Sequence, residues 1–121
     1  MNEIKKFEAK KVRTYWDEEA GEWFFSIIDV IEVLTDSTNP RDYWFKMKTR
    51  VKTEDGLELS TICRQLKMKA TDGKMRETDA ANVPALLRII QSVPSPKAEP
   101  FKQWLAQVGY ERIEETEDPE L

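Results

Sequence analysis

Ten lysines and arginines between Arg41 and Arg76 stand against five aspartates and glutamates, and cations concentrated in this way can neutralise phosphate oxygens. The flanks have the opposite sign. Residues 1–40 carry five cations and nine anions, residues 77–121 four and nine, and the whole chain is −4. The useful question is which of these cations geometry gathers onto one surface. Two stretches qualify. Stepping about 100° per residue from Arg41 puts Trp44, Met47 and Val51 in a buried stripe. Arg41, Phe45, Lys48 and Lys52 then share a neighbouring face, with Lys46 and Arg50 further round it. The run Tyr43-Trp44-Phe45 is wider than one core stripe, so Phe45 is expected to point away from Trp44, into the basic face. A solvated amphipathic helix is the alternative reading of the same pattern. The functional reading is a helix that meets phosphates and stacks or wedges one aromatic ring.

The second stretch surrounds Asp72-Gly73, which reads as a two-residue hairpin turn. That register sets Lys69 opposite Arg76. Leu66, Met68, Ala70 and Met75 then lie on one face, and Lys67, Lys69, Lys74 and Arg76 on the other. A like-charge pair across the ladder is unfavourable, and an anionic ligand would relieve it. Two-stranded ribbons fit a groove of duplex DNA; lysines guarding a sheet edge against aggregation are the alternative. Arg64 extends the patch on the approach to the hairpin. Slipping the register by one residue would scatter the four cations.

Other chemistry is bounded by composition. The chain has no histidine, which excludes an imidazole base, a Ser-His-Asp triad and a histidine metal site within it. A single cysteine, Cys63, allows neither an internal disulfide nor a structural zinc site, and fits a core position in a reducing cytoplasm. The four glycines, Gly21, Gly56, Gly73 and Gly109, are too far apart for a phosphate-binding loop motif. Glu77 and Asp79 are a candidate Mg²⁺ pair, although chance pairs are expected among 23 acidic residues. No run approaches the length of a membrane span, and no leader-like apolar segment opens the chain. The expectation is a cytoplasmic domain that is not an enzyme and uses no cofactor.

The elements that must position the cations follow from periodicity. Residues 10–16 and 22–25 are β-branched and aromatic around the polar loop Asp17–Gly21, which predicts an antiparallel hairpin. Ser26 offers an N-cap, with Asp29 as its box partner, before Ile27, Val30, Ile31 and Leu34 at helical spacing. Asn39-Pro40 starts the basic helix, expected to run to about Lys52. Ser60–Leu66 reads as a short helix with Ile62 and Leu66 inward. A helix from Asn82 to about Val93 places Val83, Leu86, Leu87 and Ile90 on one side. After Pro94-Ser95-Pro96, a last helix carries Phe101, Trp104, Leu105 and Val108 and is expected to stop at Gly109.

These pieces occur in a familiar order. WDEEAGEWFFSIIDVIEVLTDSTNPRDYW, with Trp23-Phe24, Asp29-Val30 and Asn39-Pro40-Arg41, resembles the opening of the Bro N-terminal domain found in viral Bro proteins and bacteriophage antirepressors. Gly73-Lys74, Leu86-Leu87-Arg88, and Lys97-Ala98 with Phe101 and Trp104 are similar to its later part. The likeness spans about residues 7–110; Gly56–Leu66 departs from it in being longer and more apolar. It implies an α+β fold: small antiparallel hairpins or a sheet packed on about four helices, in one compact domain over 1–110. An acidic tail, 111–121, is expected to lead toward a further domain. It also implies the DNA-binding domain of a phage or prophage antirepressor or transcriptional regulator. The contact set expected from geometry is Arg41, Phe45, Lys48, Lys52, Arg64, Lys67, Lys69, Lys74 and Arg76, acting on DNA, most simply a duplex. The alternative is a protein-interaction or dimerisation module that sequesters a repressor without touching DNA.

Overall fold

Residues 2–50 and 59–117 are described by the computed structural model, with side chains through Val108. The strands are β1 (Asn2–Phe7), β2 (Lys10–Asp17), β3 (Glu22–Ser26), β4 (Arg64–Lys69) and β5 (Met75–Asn82). They form one antiparallel sheet in the order β1-β2-β3-β5-β4. The helices are α1 (Ile27–Thr35), α2 (Pro40–Arg50), α3 (Val83–Gln91) and α4 (Ala98–Glu117), with a 3-10 turn at Leu59–Ile62. This is the expected α+β class, with β1 as an addition that the sequence reading did not anticipate.

Aromatic residues fix the centre of the sheet. Trp16 pairs with Trp23 and Tyr15 with Phe24 across the β2–β3 ladder, and the Trp16 and Trp23 rings meet edge to face at 5.2 Å. The polar loop before Gly21 closes as expected. Asp17 Oδ1 accepts from the Glu19 and Ala20 amides, and Gly21 takes the left-handed φ of 65° that a side chain would resist. Val12, Trp16, Trp23, Phe25 and Ala81 lie on the face packed by the helices. Phe24, Met68 and Ala80 form a smaller cluster on the other, with Tyr15 and Leu66 against it.

The helix starts follow the sequence. Ser26 Oγ accepts from the Asp29 amide, Asn39 Oδ1 from Asp42 and Asn82 Oδ1 from Ala85. Each N-cap of this kind contributes about 1 kcal/mol. Asp29, however, does not complete a capping box. Its carboxylate accepts from the Arg13 amide at 2.9 Å instead, and from the Arg13 guanidinium. The apolar stripe of α1 is buried as predicted. In α3 the buried face is rotated toward Ala85, Leu86, Ile89 and Ile90, leaving Val83 and Leu87 half-buried. Phe101, Leu105 and Val108 of α4 are buried, and Trp104 donates its indole N–H to the Lys6 carbonyl at 2.7 Å.

Two boundaries move. The α4 backbone continues through Gly109 to Glu117; a mid-helix glycine costs about 1 kcal/mol, a small deficit when strong helix formers follow. The predicted helix over Ser60–Leu66 is a 3-10 turn that ends at Ile62, and Arg64 already belongs to β4. Val51, Lys52 and the turn predicted at Thr53–Gly56 lie outside the described residues. Among the described residues, no helix is long and apolar enough to cross a membrane.

Candidate nucleic-acid interface

The β4–β5 turn decides where the hairpin cations point. Asp72 does not occupy a two-residue turn, since Gly73 alone in this loop has positive φ, at 83°. The loop contains three residues, Thr71-Asp72-Gly73, closed by Ala70 N to Lys74 O at 2.9 Å. A two-residue type I′ turn needs positive φ at both central positions. Here only the glycine takes it, and Asp72 accepts the Lys74 amide through Oδ1 at 3.0 Å. Lys69 consequently faces Met75, and Arg76 faces Met68.

This one-residue change separates the four cations predicted to share a face. Lys67 and Lys69 are on the side of Gln65, Met75, Glu77 and Asp79. Lys74 and Arg76 are on the side of Leu66, Met68, Thr78 and Ala80. The cause lies at the base of the hairpin. Ser26 pairs with Ala80 and Phe24 with Asn82, which places Ala80 on the Phe24 side of the sheet. Met68 can join that buried cluster only if β4 is in the observed phase. Burying Met68, worth about 1.5–3 kcal/mol, outweighs the preference of an Asp-Gly pair for the tighter turn. The predicted repulsion between Lys69 and Arg76 disappears with the register.

Three predicted contacts are held by carboxylates. Lys48 Nζ sits 3.1 Å from Asp79 Oδ2, with its side chain only 19% exposed. Trp44 Nε1 donates to the same oxygen at 2.8 Å. Burial works to raise the Asp79 pKa, but the hydrogen bonds from Trp44 and Lys48, the Lys48 charge and a bond from Gln65 outweigh it. The carboxyl is held below its ordinary value. Asp79 is thereby committed to α2 rather than available with Glu77 for a cation. Arg64 pairs with Asp17 at 2.8 Å and lies 5.1 Å from the Phe24 ring. Arg76 pairs with Asp72 within its own turn. Phe45 is 55% exposed as predicted, and Lys48 Nζ stands 4.3 Å from its ring centre. Cys63 is half-buried, and burial, with the Asp79 charge, pushes its thiol up to about 12, an inert state.

A different assembly does bring cations together. Residues from the two ends of the strand order, β1–β2 and the end of β4 with its turn, line a groove of about 760 Å³. Lys11 and Arg13 come from β2, Arg41 from the first turn of α2, and Lys69 from the end of β4; Ile4, Ala70 and Thr71 complete the walls. Arg13 is structural here. Its Nε and Nη2 grip Asp29 at 2.8 and 3.0 Å, Nη2 also reaches Ser26 Oγ, and Nη1 donates to the Lys69 carbonyl. Lys11, Arg41 and Lys69 are exposed, and none makes an ion pair among the described residues. The other groove carboxylate, Glu3, is bridged to Lys5 at 3.4 Å.

Of the predicted contact residues, Arg41 and Lys69 therefore meet at this groove. Lys67 and Lys74 are exposed on either side of the hairpin, and Lys52 lies outside the described residues. The sequence reading missed Lys11 and Arg13 because they sit in a flank of negative balance. Their i, i+2 spacing in KKVR, on one side of a strand, was the available signal.

A family model described as the BRO family, N-terminal domain, matches residues 11–110. No curated protein and no solved structure matches the chain.

Proposed function

The chain belongs to the BRO family, and we propose that it is a DNA-binding domain of an antirepressor-type or transcriptional regulator. The observation that carries this reading is the groove, which Lys11, Arg41 and Lys69 line from three separate elements and where none of the three makes an ion pair among the described residues. Unneutralised cations held close together repel one another, and a polyanion relieves that cost. Lys67 and Lys74, exposed on the two faces of the β4–β5 hairpin, extend the contact beyond the groove in this reading. Lys48, Arg64 and Arg76 serve the fold instead, through their pairs with Asp79, Asp17 and Asp72. The reading gives the domain no catalytic role, needs no cofactor and places it in the cytoplasm.

If the five exposed cations each neutralise one phosphate, log affinity for a duplex falls with log salt at a slope of about −4.5. Fluorescence anisotropy across a salt series measures it. Replacing Arg41 and Lys69 by Ala should flatten the slope by about 2, as two phosphate contacts are lost. A slope near zero for the unmodified protein would sink the reading.

A second reading rests on a separate observation. Ile4, Phe45 and Met75 are large apolar side chains 57%, 55% and 49% exposed, and such residues suit a contact with a repressor protein or a second copy of the chain. Sedimentation with and without a duplex separates the two. A stable dimer indifferent to DNA favours this alternative.

A further inference from the structure

We propose that the groove is also a binding site for a free nucleoside monophosphate. This inference stands on the groove alone and holds whether or not a duplex binds at its rim. A volume of about 760 Å³ falls within the range of about 300–1,000 Å³ typical of small-molecule sites. The walls divide by chemistry. Arg41 lines the groove at the α2 start, Lys69 at the β4 end and Lys11 on β2. A phosphate monoester carries about −1.5 to −2 charges and three acceptor oxygens, which matches two or three such donors. Arg41 adds a planar fork suited to two phosphate oxygens.

The rest of the lining suits the body of a nucleoside. Ile4 faces the groove from β1 with more than half its surface uncovered, and Ala70 and Thr71 line the opposite wall. Covering Ile4 with a flat ring removes apolar surface from water without asking the fold to move. Asn2 lines the same wall and offers an amide able both to donate and to accept, as a base edge requires.

Arg13 ties β2 to the Lys69 carbonyl, to Asp29 and to Ser26, so the β2 and β4 sides of the groove are joined. The acids that face the site are accounted for. Asp29 is occupied by Arg13 and Glu3 is bridged to Lys5.

The test is titration of the whole chain, followed by two-dimensional amide NMR and calorimetry, with adenosine monophosphate, thymidine monophosphate, adenosine and inorganic phosphate as probes. The expected result is saturable shifts at Lys11, Arg41, Lys69 and Ala70 with the monophosphates. Adenosine and inorganic phosphate should each bind at least about tenfold more weakly, since each lacks one half of the contact. Arg41→Gln and Lys69→Gln should each weaken the monophosphates about tenfold, while Lys102→Gln on α4, outside the groove lining, leaves them unchanged, with circular dichroism confirming that each variant is folded. Absence of shifts at millimolar monophosphate would overturn the proposal. So would equal affinity for inorganic phosphate or for adenosine, or equal loss in the Lys102→Gln protein. None of these outcomes depends on a duplex, so failure here leaves the DNA reading to its own salt titration.

Discussion

The two hairpins of the sheet carry their turns in opposite ways. In β2–β3 the loop is polar, but the strands on either side are locked by Trp16 against Trp23 and Tyr15 against Phe24. Arg64 comes from another strand to pair with Asp17 of this loop. In β4–β5 the residues nearest the turn are Lys69, Ala70, Lys74 and Met75, none bulky and buried enough to specify a register. The register is set lower down, by Met68 on β4 and Ala80 on β5 against Phe24. The lesson is that turn chemistry states where a chain reverses, while buried side chains state which residues face each other.

Substitutions can break this comparison. Phe25 of the first hairpin is fully buried, and Phe25→Ala should cost about 3–5 kcal/mol in urea unfolding. Met75→Ala, at an exposed position of the second hairpin, should stay within about 0.5 kcal/mol. If the two cost the same, the contrast is wrong. Next in size is Arg13→Met, which leaves the Asp29 carboxylate, 14% exposed, without its charged partner. A loss of about 2 kcal/mol is expected, together with altered amide shifts around Lys69, the carbonyl it releases.

A pH series sharpens the role of Lys48. The Asp79 carboxyl titrates lower in the folded chain than its ordinary 3.8. It therefore contributes stability that is fully present above that value and is lost as pH falls through the lowered one. Asp79→Asn should be less stable at neutral pH and should show a shallower decline below about pH 4. The decline will not vanish, because Asp17, Asp36 and Asp72 are also lowered, chiefly by hydrogen bonds from Arg64, Lys10 and Arg76. An unchanged profile in the variant would show that Lys48 is not held by Asp79 in solution.

The smallest effects test the turn. Gly73→Ala forces a side chain into φ of 83° and should cost about 1 kcal/mol. Asp72→Asn creates the pair most favourable to a two-residue turn, yet stability should move by less than about 0.5 kcal/mol. Cross-strand NMR contacts between Lys69 and Met75 should persist. Their replacement by contacts between Lys69 and Arg76 would show that the turn, not Met68, chooses the register.

Much of the fold was legible because local signals and burial agree. Ser26, Asn39 and Asn82 cap the helices they precede, and Phe45 points outward as its place beside Trp44 requires. The site was legible only in part. Arg41 and Lys69 reach one groove, but alternation along β4 and β5 could not reveal a phase imposed by β3. Nor could charge counting distinguish Lys48, neutralised by an aspartate thirty-one positions away, from Arg41, which has no such partner among the described residues. β1 was missed because Asn2–Phe7, with Ile4 and Phe7 as its apolar residues among Asn2, Glu3, Lys5 and Lys6, has little strand character until Lys10–Tyr15 supplies a ladder.

The Arg13 guanidinium has a consequence for how this domain can vary. By holding the Lys69 carbonyl from β2, it aims the basic loop from outside the loop itself. Residues 71, 72 and 74 are thus free to change identity, and so to change what they touch, without losing their direction, while Gly73 is kept by its positive φ. A lysine at position 13 keeps the charge but has no fork with which to grip three partners at once. Diversity at the tip and constancy at a single distant arginine would be two sides of the same mechanical arrangement.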